Sequence, residues 1–362
     1  MSNSRNTYVN INLSNIEYNV KTIISKYNDY KYYFGVVKAD AYNHGDIKVA
    51  QTLINSGCNY LAVSSIEEAI HIRKKINNTT IPILCLENTK INKVYLTKCI
   101  KYNITITLTN LIDLKNIIKY TKTLDLKTLK FHIKVDTGMN RLGVKTKDEF
   151  NKIITTCKEN KLYVEGIYTH IYKASDESIT QTQFKIFEEI TQDIDMSKIP
   201  IIHMAQSETL VRYKKKQYIN GVRLGIIMYG FTQENLKSTF SLTSQVIQIN
   251  NIKTGETVGY DGTYTAKSNE IVATICVGYA DGITRGYKNS YVYINDKKYD
   301  VIGNVCMDMI MVKVDETVKL YDKAVIIKDN NHIKDISIKL KTIPYEVICN
   351  IGKRVERKYI QN

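Results

Sequence analysis

Eight short runs of mostly apolar and β-branched residues alternate with longer stretches of helical periodicity between about residues 30 and 230. Such alternation is typical of parallel strands that are each followed by a helix. The predicted strands are residues 33–38, 60–64, 82–86, 104–108, 130–136, 163–169, 200–205 and 222–229. Eight such units favour an α/β fold with a closed (β/α)8 barrel of the TIM type, although the pattern alone also fits an open sheet.

The chain before and after this region has a different pattern. Tyr8 to Leu13 alternates like a lone strand, and Ser14-x-x-Glu17 resembles a capping box that opens a helix to about Lys26. After residue 235, short strand-like runs lie close together between Gly, Asp and Asn turns. These runs are 241–250, 271–277, 291–294, 299–303, 308–314 and 324–328. We therefore predict a barrel over residues 14–234 and a carboxyl-terminal all-β domain formed by residues 1–13 and 235–362.

Composition argues against several classes of protein. The 362 residues are 43% hydrophobic and 24% charged, as in ordinary globular proteins. The net charge of +15 comes from dispersed lysines, so we expect no nucleic-acid partner. The amino terminus lacks a hydrophobic signal core and no apolar stretch could span a bilayer, so we expect a cytoplasmic protein with no membrane partner. Seven cysteines without a C-x-x-C pair predict reduced, buried thiols and no metal site.

Lys38 closes the first apolar run of the predicted barrel, in the segment VVKADAYNHG (36–45). Burial disfavours the charged form of a lysine and so favours a nucleophilic amine. Such an amine can capture the aldehyde of a cofactor as a Schiff base. A lysine at a strand end can also keep its ammonium in water, and this segment alone fits both interpretations.

Other reactive side chains follow the later barrel strands. Catalytic residues of (β/α)8 barrels gather at the carboxyl ends of the strands, and phosphate commonly binds after strands 7 and 8. The candidates here are Lys134, Asp136 and Arg141 after strand 5, His170 after strand 6, Ser207 after strand 7, and Arg223, Gly225 and Ile226 in the strand 8 region. We expect the Ser207 hydroxyl and the amides of Gly225 and Ile226 to bind a phosphate. Lys38 would then face the aldehyde end of a phosphorylated cofactor.

Eight segments of the chain resemble, in the same order, the motifs of the pyridoxal-phosphate-dependent alanine racemases. They are VVKADAYNHG (36–45), HIKVDTGMNRLG (132–143), YTH (168–170), HMAQS (203–207), VRLGIIMYG (222–230), VGYDGTY (258–264), VGYADG (277–282) and GNVCMDMIMV (303–312). The resemblance extends from about Tyr8 to Tyr359 and implies that Lys38 binds pyridoxal 5′-phosphate covalently.

The resemblance also implies roles for individual residues. Lys38 and Tyr260 are the implied bases on opposite faces of the substrate, with Tyr260 coming from the other subunit of a homodimer. The implied cofactor contacts are Lys38, Tyr42, Arg141, His170, Ser207, Arg223, Gly225, Ile226 and Lys353, with Arg223 against the pyridine nitrogen. The implied substrate contacts are Arg141, Met307, Tyr279 and Asp308, and Lys134 matches a lysine that is carbamylated in many members. An ordinary salt bridge is the alternative for Lys134.

Several positions depart from the family motifs. They are Asn43 and Asn140 for glycine, Asn304 for arginine, Gln206 for asparagine, and Lys353 for a tyrosine near the phosphate. Because an ammonium and a phenol differ in shape and charge, Lys353 could shift substrate preference toward serine. We predict an alanine racemase that supplies D-alanine for peptidoglycan. The alternatives are a serine or broad-specificity amino-acid racemase, a barrel-type amino-acid decarboxylase and a pyridoxal-phosphate carrier without catalytic activity.

Overall fold

The computed structural model of the chain describes residues 5–76, 80–87, 90–232 and 235–361. The chain divides into two compact units. The barrel unit comprises residues 16–41 and 46–236, and the β unit comprises residues 1–15, 42–45 and 237–362. The boundary that we predicted after residue 234 lies outside the described residues, as do residues 1–4 and 362.

Strand β1 (Tyr8–Asn12) and helix α1 (Leu13–Lys26) precede the barrel. The helix begins one residue before the predicted cap at Ser14. The side chain of Asn12 accepts a hydrogen bond from the Asn15 amide at 2.8 Å, so Asn12 caps the first turn.

Eight parallel strands form a closed barrel, as predicted. They are β2 (Tyr32–Val36), β3 (Tyr60–Val63), β4 (Ile83–Cys85), β5 (Ile104–Leu108), β6 (Lys130–Lys134), β7 (Tyr163–Tyr168), β8 (Ile201–Ala205) and β9 (Gly221–Leu224). Each strand pairs with the next, and β9 pairs with β2 to close the ring. The last strand is shorter than predicted, because the chain turns into a 3₁₀ helix over Ile226–Tyr229. Strands buried on both faces explain the nearly continuous apolar runs of the sequence.

Helices connect the barrel strands. They are α2 (Lys38–Asn43), α3 (Asp46–Asn55), α4 (Ile66–Lys75), α5 (Lys93–Lys101), α6 (Leu111–Ile118), α7 (Lys147–Glu159), α8 (Glu177–Thr191) and α9 (Ser207–Arg212). Polar N-caps start several of them. Asn110 and Asp176 each accept a hydrogen bond from a first-turn amide, and Ser65 with Glu68 forms a complete capping box on α4.

The β unit has a mostly antiparallel sheet, as predicted. Its strands after β1 are β10 (Phe240–Ile252), β11 (Thr257–Val258), β12 (Tyr264–Thr265), β13 (Glu270–Ile275), β14 (Tyr291–Ile294), β15 (Lys297–Ile302), β16 (Ile310–Val314), β17 (Lys323–Ile327) and β18 (Glu356–Ile360). The strand order is β13-β16-β15-β14-β17-β10-β1-β18, and β10 also pairs with β13. Two helices that the sequence pattern did not predict follow β17. They are α10 (Asn330–Lys339) and α11 (Pro344–Cys349).

Two further features concern the whole of the described chain. No helix in the described ranges is long and apolar enough to cross a membrane. The cysteines are free thiols, and Cys58, Cys85, Cys99 and Cys157 are buried. Cys349 is exposed, which differs from the expectation of buried thiols.

Candidate active site

The charges of four side chains act on His170, which lies just beyond strand β7 in the barrel unit. Burial disfavours its charged form, and the charges of Arg223, Arg141, Lys134 and Lys38 add to this effect, so the pKa of His170 falls to about 2. The Arg223 guanidinium lies 3.3 Å from His170 Nδ1. A guanidinium only donates, so Nδ1 is an acceptor and the proton of this neutral imidazole lies on Nε2. The structure thus brings these five predicted residues together.

Arg223 lies in strand β9 and is only 4% exposed. Its two terminal nitrogens donate to the carbonyl oxygens of His203 and Thr169, at 3.0 and 2.8 Å, and to His203 Nδ1 at 2.7 Å. Burial lowers the pKa of Arg223 to about 10, so the side chain still carries its charge at neutral pH. A fixed, charged guanidinium therefore points into the group of residues around His170.

Lys134 is the last residue of strand β6 and is buried. Burial and the nearby charges of Arg141 and Arg223 lower the pKa of Lys134 to about 8. Asp136 and Glu87 act in the opposite direction, but more weakly. A much larger fraction of neutral amine is therefore present at neutral pH than in an ordinary lysine, and this is the form that reacts with electrophiles.

The carboxylate of Asp136 organises the turn that carries Arg141. It accepts hydrogen bonds from the backbone amides of Gly138 and Asn140, both at 3.0 Å, and of Arg141 at 3.1 Å. Asn140 has a φ of +56°, a conformation that asparagine adopts more readily than most residues. The asparagine that replaces glycine here is therefore compatible with the turn, and Arg141 remains exposed at its end.

Hydrogen-bond donors suited to an anion converge after strands β8 and β9. Ser207 is buried, and its hydroxyl accepts from the amides of Gly225 at 3.2 Å and Ile227 at 3.3 Å, with Ile226 between them. Gln206 caps α9 by accepting from the Glu208 amide at 2.8 Å, a capping interaction of the kind that asparagine makes. The Gly225 amide thus donates to Ser207, and the Ser207 hydroxyl keeps its own proton for an anion such as the phosphate of a cofactor.

Lys38 begins α2, whose backbone is left-handed. Ala39 to Asn43 all have φ between +52° and +65°, whereas Lys38 was predicted to end a strand. The strand in fact ends at Val36. Left-handed helical backbone costs about 1–2 kcal/mol for each residue that is not glycine, and such strain concentrates at functional sites. Glu68 supports the turn by accepting from the Ala39 amide at 2.8 Å.

Asn43 fixes residues 42–45 to the carboxyl-terminal segment of the β unit. Its amide donates to the carbonyl oxygens of Ile348 at 2.9 Å and Ile351 at 2.7 Å, and its oxygen accepts from Arg357. A glycine at this position could form none of these bonds. They connect the segment that carries Tyr42 to the segment that carries the exposed Lys353.

Tyr260 lies on a turn of the β unit and is 70% exposed. The Asn304 side chain donates to the Tyr260 carbonyl oxygen at 3.0 Å and to the Asp261 carboxylate at 3.2 Å. The asparagine that replaces arginine thus holds this turn in place. The exposed phenol of Tyr260 therefore stands on a turn that hydrogen bonds hold in place.

Tyr279 and Met307 lie on two loops of the β unit that touch through their backbones. The Tyr279 amide donates to the Cys306 carbonyl oxygen at 3.0 Å. A Cβ on Gly278 would lie 2.4 Å from the carbonyl oxygens of Cys306 and Met307, so only glycine permits this approach.

A buried carboxylate holds these loops together. Asp281 accepts from Arg5 at 2.8 Å and from Arg354 at 2.7 Å, and Arg354 also donates to Asp308 at 2.7 Å. Burial opposes the charged form of Asp281, but the hydrogen bonds from the two arginines outweigh it and lower its pKa. The same group of ion pairs therefore holds the loops that carry the predicted residues Tyr279, Met307 and Asp308.

Sequence reasoning missed the polar residues inside the barrel. His132 and His203 are fully buried and Glu165 is nearly so, although both histidines lie in segments that we compared with family motifs. A signal was available, because alternate residues of a strand share a face and His132 precedes Lys134 by two positions. Arg5, Asp281 and Arg354 were also missed, since their contact joins distant parts of the sequence.

The chain is similar to known proteins over nearly its whole length. A family model described as alanine racemase, N-terminal domain, matches residues 11–233, and one described as alanine racemase, C-terminal domain, matches residues 239–359. The alanine racemase of Anoxybacillus flavithermus is 33% identical over 374 residues, covering 99% of this chain and 96% of that protein.

Solved structures give the same result. The alanine racemase of Clostridium difficile 630 has a TM-score of 0.91 and 32% identity, with 100% of this chain and 97% of that chain covered. The alanine racemase of Bartonella henselae with covalently bound pyridoxal phosphate has a TM-score of 0.88 and 26% identity, with 98% and 99% covered.

Proposed function

The chain belongs to the alanine racemase family, and we propose that it interconverts L-alanine and D-alanine with pyridoxal 5′-phosphate as its cofactor. The observation that carries this proposal is the convergence of Lys38, Arg141 and Arg223 on a neutral His170 in the barrel unit. In a cell, the product D-alanine would enter peptidoglycan. We assign the enzyme to the cytoplasm.

We assign the proton transfer to two bases, one on each face of the substrate α-carbon. When bound, pyridoxal phosphate supplies an aldehyde for covalent attachment and a ring that withdraws electrons from the substrate α-carbon. Racemisation requires that a proton leave one face of that carbon and return to the other. We assign Lys38 to one face and Tyr260 of a second copy of the chain to the other. The exposure of the Tyr260 phenol supports this assignment, because it is free to reach a neighbouring subunit.

The remaining residues of this group would bind and orient the cofactor. Ser207, Gly225 and Ile226 would hold the phosphate, and Tyr42 and Lys353 remain proposed cofactor contacts. Arg223 would face the pyridine nitrogen, and because it keeps its own proton it would leave that nitrogen unprotonated. A weaker electron sink favours rapid return of the proton over transamination. His170 would complete the cofactor contacts.

The proposed substrate contacts are Arg141, Met307, Asp308 and Tyr279. Arg141 would bind the substrate carboxylate as a charged donor. Met307 and Asp308 would close over the substrate from a second subunit, and Tyr279 would narrow the entrance. Tyr260, Tyr279 and Met307 are 70%, 43% and 53% exposed in the single chain. Exposed aromatic and methionine side chains on a rigid support are suited to a homodimer interface.

Lys134 is proposed to carry a carbamate. A neutral lysine amine adds to carbon dioxide and releases one proton, giving an anionic carboxylate on nitrogen. The lowered pKa of Lys134, about 8, supplies the neutral amine. The new anion would neutralise part of the positive charge between Arg141 and Arg223 and orient Arg141.

The test is racemisation of L-alanine and L-serine side by side, with cofactor supplied and products separated by chiral chromatography. We expect D-alanine to form much faster than D-serine. Failure of the cofactor-loaded protein to form D-alanine would contradict the proposal. Release of carbon dioxide from an amino acid would identify a decarboxylase instead.

A further inference from the structure

A continuous chain of polar side chains runs through the barrel interior behind Arg223. Arg223 Nη1 lies 2.7 Å from His203 Nδ1, and His203 Nε2 lies 2.9 Å from His132 Nδ1. His132 Nε2 lies 3.2 Å from a carboxylate oxygen of Glu165, and the other oxygen accepts from Lys130 at 2.6 Å. Both histidines are completely buried. Two histidines thus link Arg223, a predicted cofactor contact, to the acid Glu165 on strand β7.

The two ends of this chain fix the position of every proton in it. A guanidinium only donates, so His203 Nδ1 must accept and, in the neutral ring, Nε2 must carry the proton. His203 Nε2 then donates to His132 Nδ1, which leaves the His132 proton on Nε2. That proton points at the carboxylate of Glu165, which only accepts. All donors therefore point from Arg223 toward Glu165.

Neutral histidines are what the surroundings require. Burial lowers the pKa of His132, and burial with the nearby charge of Arg223 lowers the pKa of His203 well below its usual value. Burial alone would raise the pKa of Glu165, but hydrogen bonds from His132, Lys130 and Tyr60 outweigh it and lower the pKa to about 2. Glu165 is therefore an anion at neutral pH.

The barrel is shaped to hold both imidazole rings. A Cβ on Gly166 would lie 2.6 Å from the His132 ring, and one on Gly221 would lie 2.9 Å from His203 Cβ. The His203 ring is stacked between Phe34, at 4.6 Å between centroids, and Tyr168, at 4.5 Å. Larger residues at either glycine would displace a histidine, so the rings have little freedom to turn.

We propose that Glu165 is a positioning residue for Arg223, acting through His132 and His203. This inference rests on the proposed function, in which Arg223 contacts the pyridine nitrogen of the cofactor. The direct acceptors of Arg223 are neutral carbonyl oxygens and imidazoles, and the negative charge at the end of the chain of hydrogen bonds polarises them toward the guanidinium. Glu165 also keeps the two histidines in the one tautomer that Arg223 can use.

The histidine protons can be observed directly. In the cofactor-loaded enzyme labelled with ¹⁵N-histidine, we expect the His132 and His203 signals to report neutral rings with the proton on Nε2. A proton on Nδ1 of either ring would reverse the direction of the hydrogen bonds and overturn the proposal. A charged ring at neutral pH would donate from both nitrogens and would also overturn it. This measurement needs no variant and does not depend on catalytic activity.

Two substitutions then distinguish the effect of the Glu165 charge from the effect of its hydrogen bond with His132. Glu165→Gln retains an oxygen that can accept from His132, whereas Glu165→Leu removes the acceptor. We expect Glu165→Gln to keep the histidine tautomers and Glu165→Leu to give a mixture at His132 and a shifted Arg223 side-chain signal. Unchanged histidine and arginine signals in Glu165→Leu would contradict the proposal. If that variant does not fold, Glu165→Gln must still shift the Arg223 signal, since it removes the charge.

Kinetics supply a second readout. We expect kcat for alanine to fall about tenfold in Glu165→Leu and less in Glu165→Gln, with KM nearly unchanged, because partners beyond the direct contacts typically contribute on that order. Equal loss in both variants together with unchanged NMR signals would indicate a merely structural role. If the wild-type enzyme does not racemise alanine, the proposed function fails, while the NMR signals still decide the coupling of Glu165 to Arg223.

Glu270→Gln is the matched control. Glu270 is also a buried acid, with Lys313 at 2.8 Å and the Tyr264 hydroxyl at 2.6 Å, but it belongs to the β unit. We expect this substitution to leave the His132, His203 and Arg223 signals unchanged. A change of the same size would show that the signals report general destabilisation, and the proposal would fail.

Discussion

The candidate site residues of the barrel unit and of the β unit are held in opposite ways. Arg223 and Lys134 are buried, and the Arg223 guanidinium donates to carbonyl oxygens and an imidazole of the barrel unit. Tyr260 and Met307 are mostly exposed and stand on turns that are fixed through their backbones. Arg223 and Lys134 of the barrel unit are thus buried charges, whereas Tyr260 and Met307 of the β unit are exposed side chains.

This difference indicates a division of labour. A buried charge must be fully hydrogen-bonded, so the barrel residues are suited to binding a charged cofactor and adjusting its electronic state. An exposed phenol on a fixed turn gains little stability where it stands. It is suited to a task outside its own unit, such as supplying a base to a second subunit.

Replacing Lys38 should have the largest effect. Lys38→Ala removes both the amine that would hold the cofactor and one of the two bases, so we expect racemisation to fall by about 10⁴-fold or more. Reduction with borohydride followed by peptide mass spectrometry should locate the cofactor on Lys38 in the wild type only. Lys48→Ala changes an exposed lysine and should lose neither property. Covalent cofactor on another lysine of the wild type would contradict the assignment.

Replacing Tyr260 tests whether an exposed residue of the β unit acts as a base. Tyr260→Phe removes one of the two bases, and we expect racemisation to fall by about 10²–10⁴-fold. Cofactor binding should remain, and only one enantiomer of alanine should exchange its α-hydrogen in deuterated water. Tyr321→Phe changes a phenol that is equally exposed and should behave like the wild type. Exchange from both enantiomers in Tyr260→Phe would rule out its role as a base.

The charge on Lys134 should respond to pH. Its amine becomes neutral as pH rises through about 8, so carbamate occupancy at constant carbon dioxide should increase from about pH 7 to pH 9. ¹³C NMR with labelled bicarbonate should detect one carbamate signal that disappears in Lys134→Ala. Lys145→Ala, at an exposed position in the segment after β6, should retain the signal. The same signal in Lys134→Ala would place the carbamate elsewhere.

Asn43 should have the smallest effect. Asn43→Gly removes the hydrogen bonds to the segment before Lys353, which we expect to destabilise the protein by about 1–3 kcal/mol. Glycine also relieves the backbone strain at a φ of +65°, so Asn43→Ala should be less stable than Asn43→Gly by about 1 kcal/mol. Urea unfolding of both variants measures this difference. Equal stability of both variants and the wild type would show that these bonds contribute nothing.

Much of the barrel could be predicted because its strands are buried on both faces. Their apolar runs contrast with the amphipathic helices between them, and this contrast is visible in a single sequence. The β unit was predictable from the spacing of its turns. Helices α10 and α11 were not, because their residues carry weak periodic signals that follow a series of strands.

The site was predictable only where a family motif supplied the role. Residues such as Lys38 and Arg223 lie in short segments that resemble those motifs, so their positions and chemistry could be inferred. His132 and His203 lie in such segments too, but nothing local shows that they touch each other. Their contact requires strands β6 and β8 to curve around the same interior.

The sequence by itself determined the strand pattern, the reactive lysine and the order of the family motifs, because each depends on residues near one another in the chain. Only the tertiary structure decided that Ala39 to Asn43 wind left-handed and that Asp281 pairs with Arg5 and Arg354. It also decided that Glu165 connects to Arg223 through two histidines. These features depend on burial and on distances between remote residues, which exist only once the chain has folded.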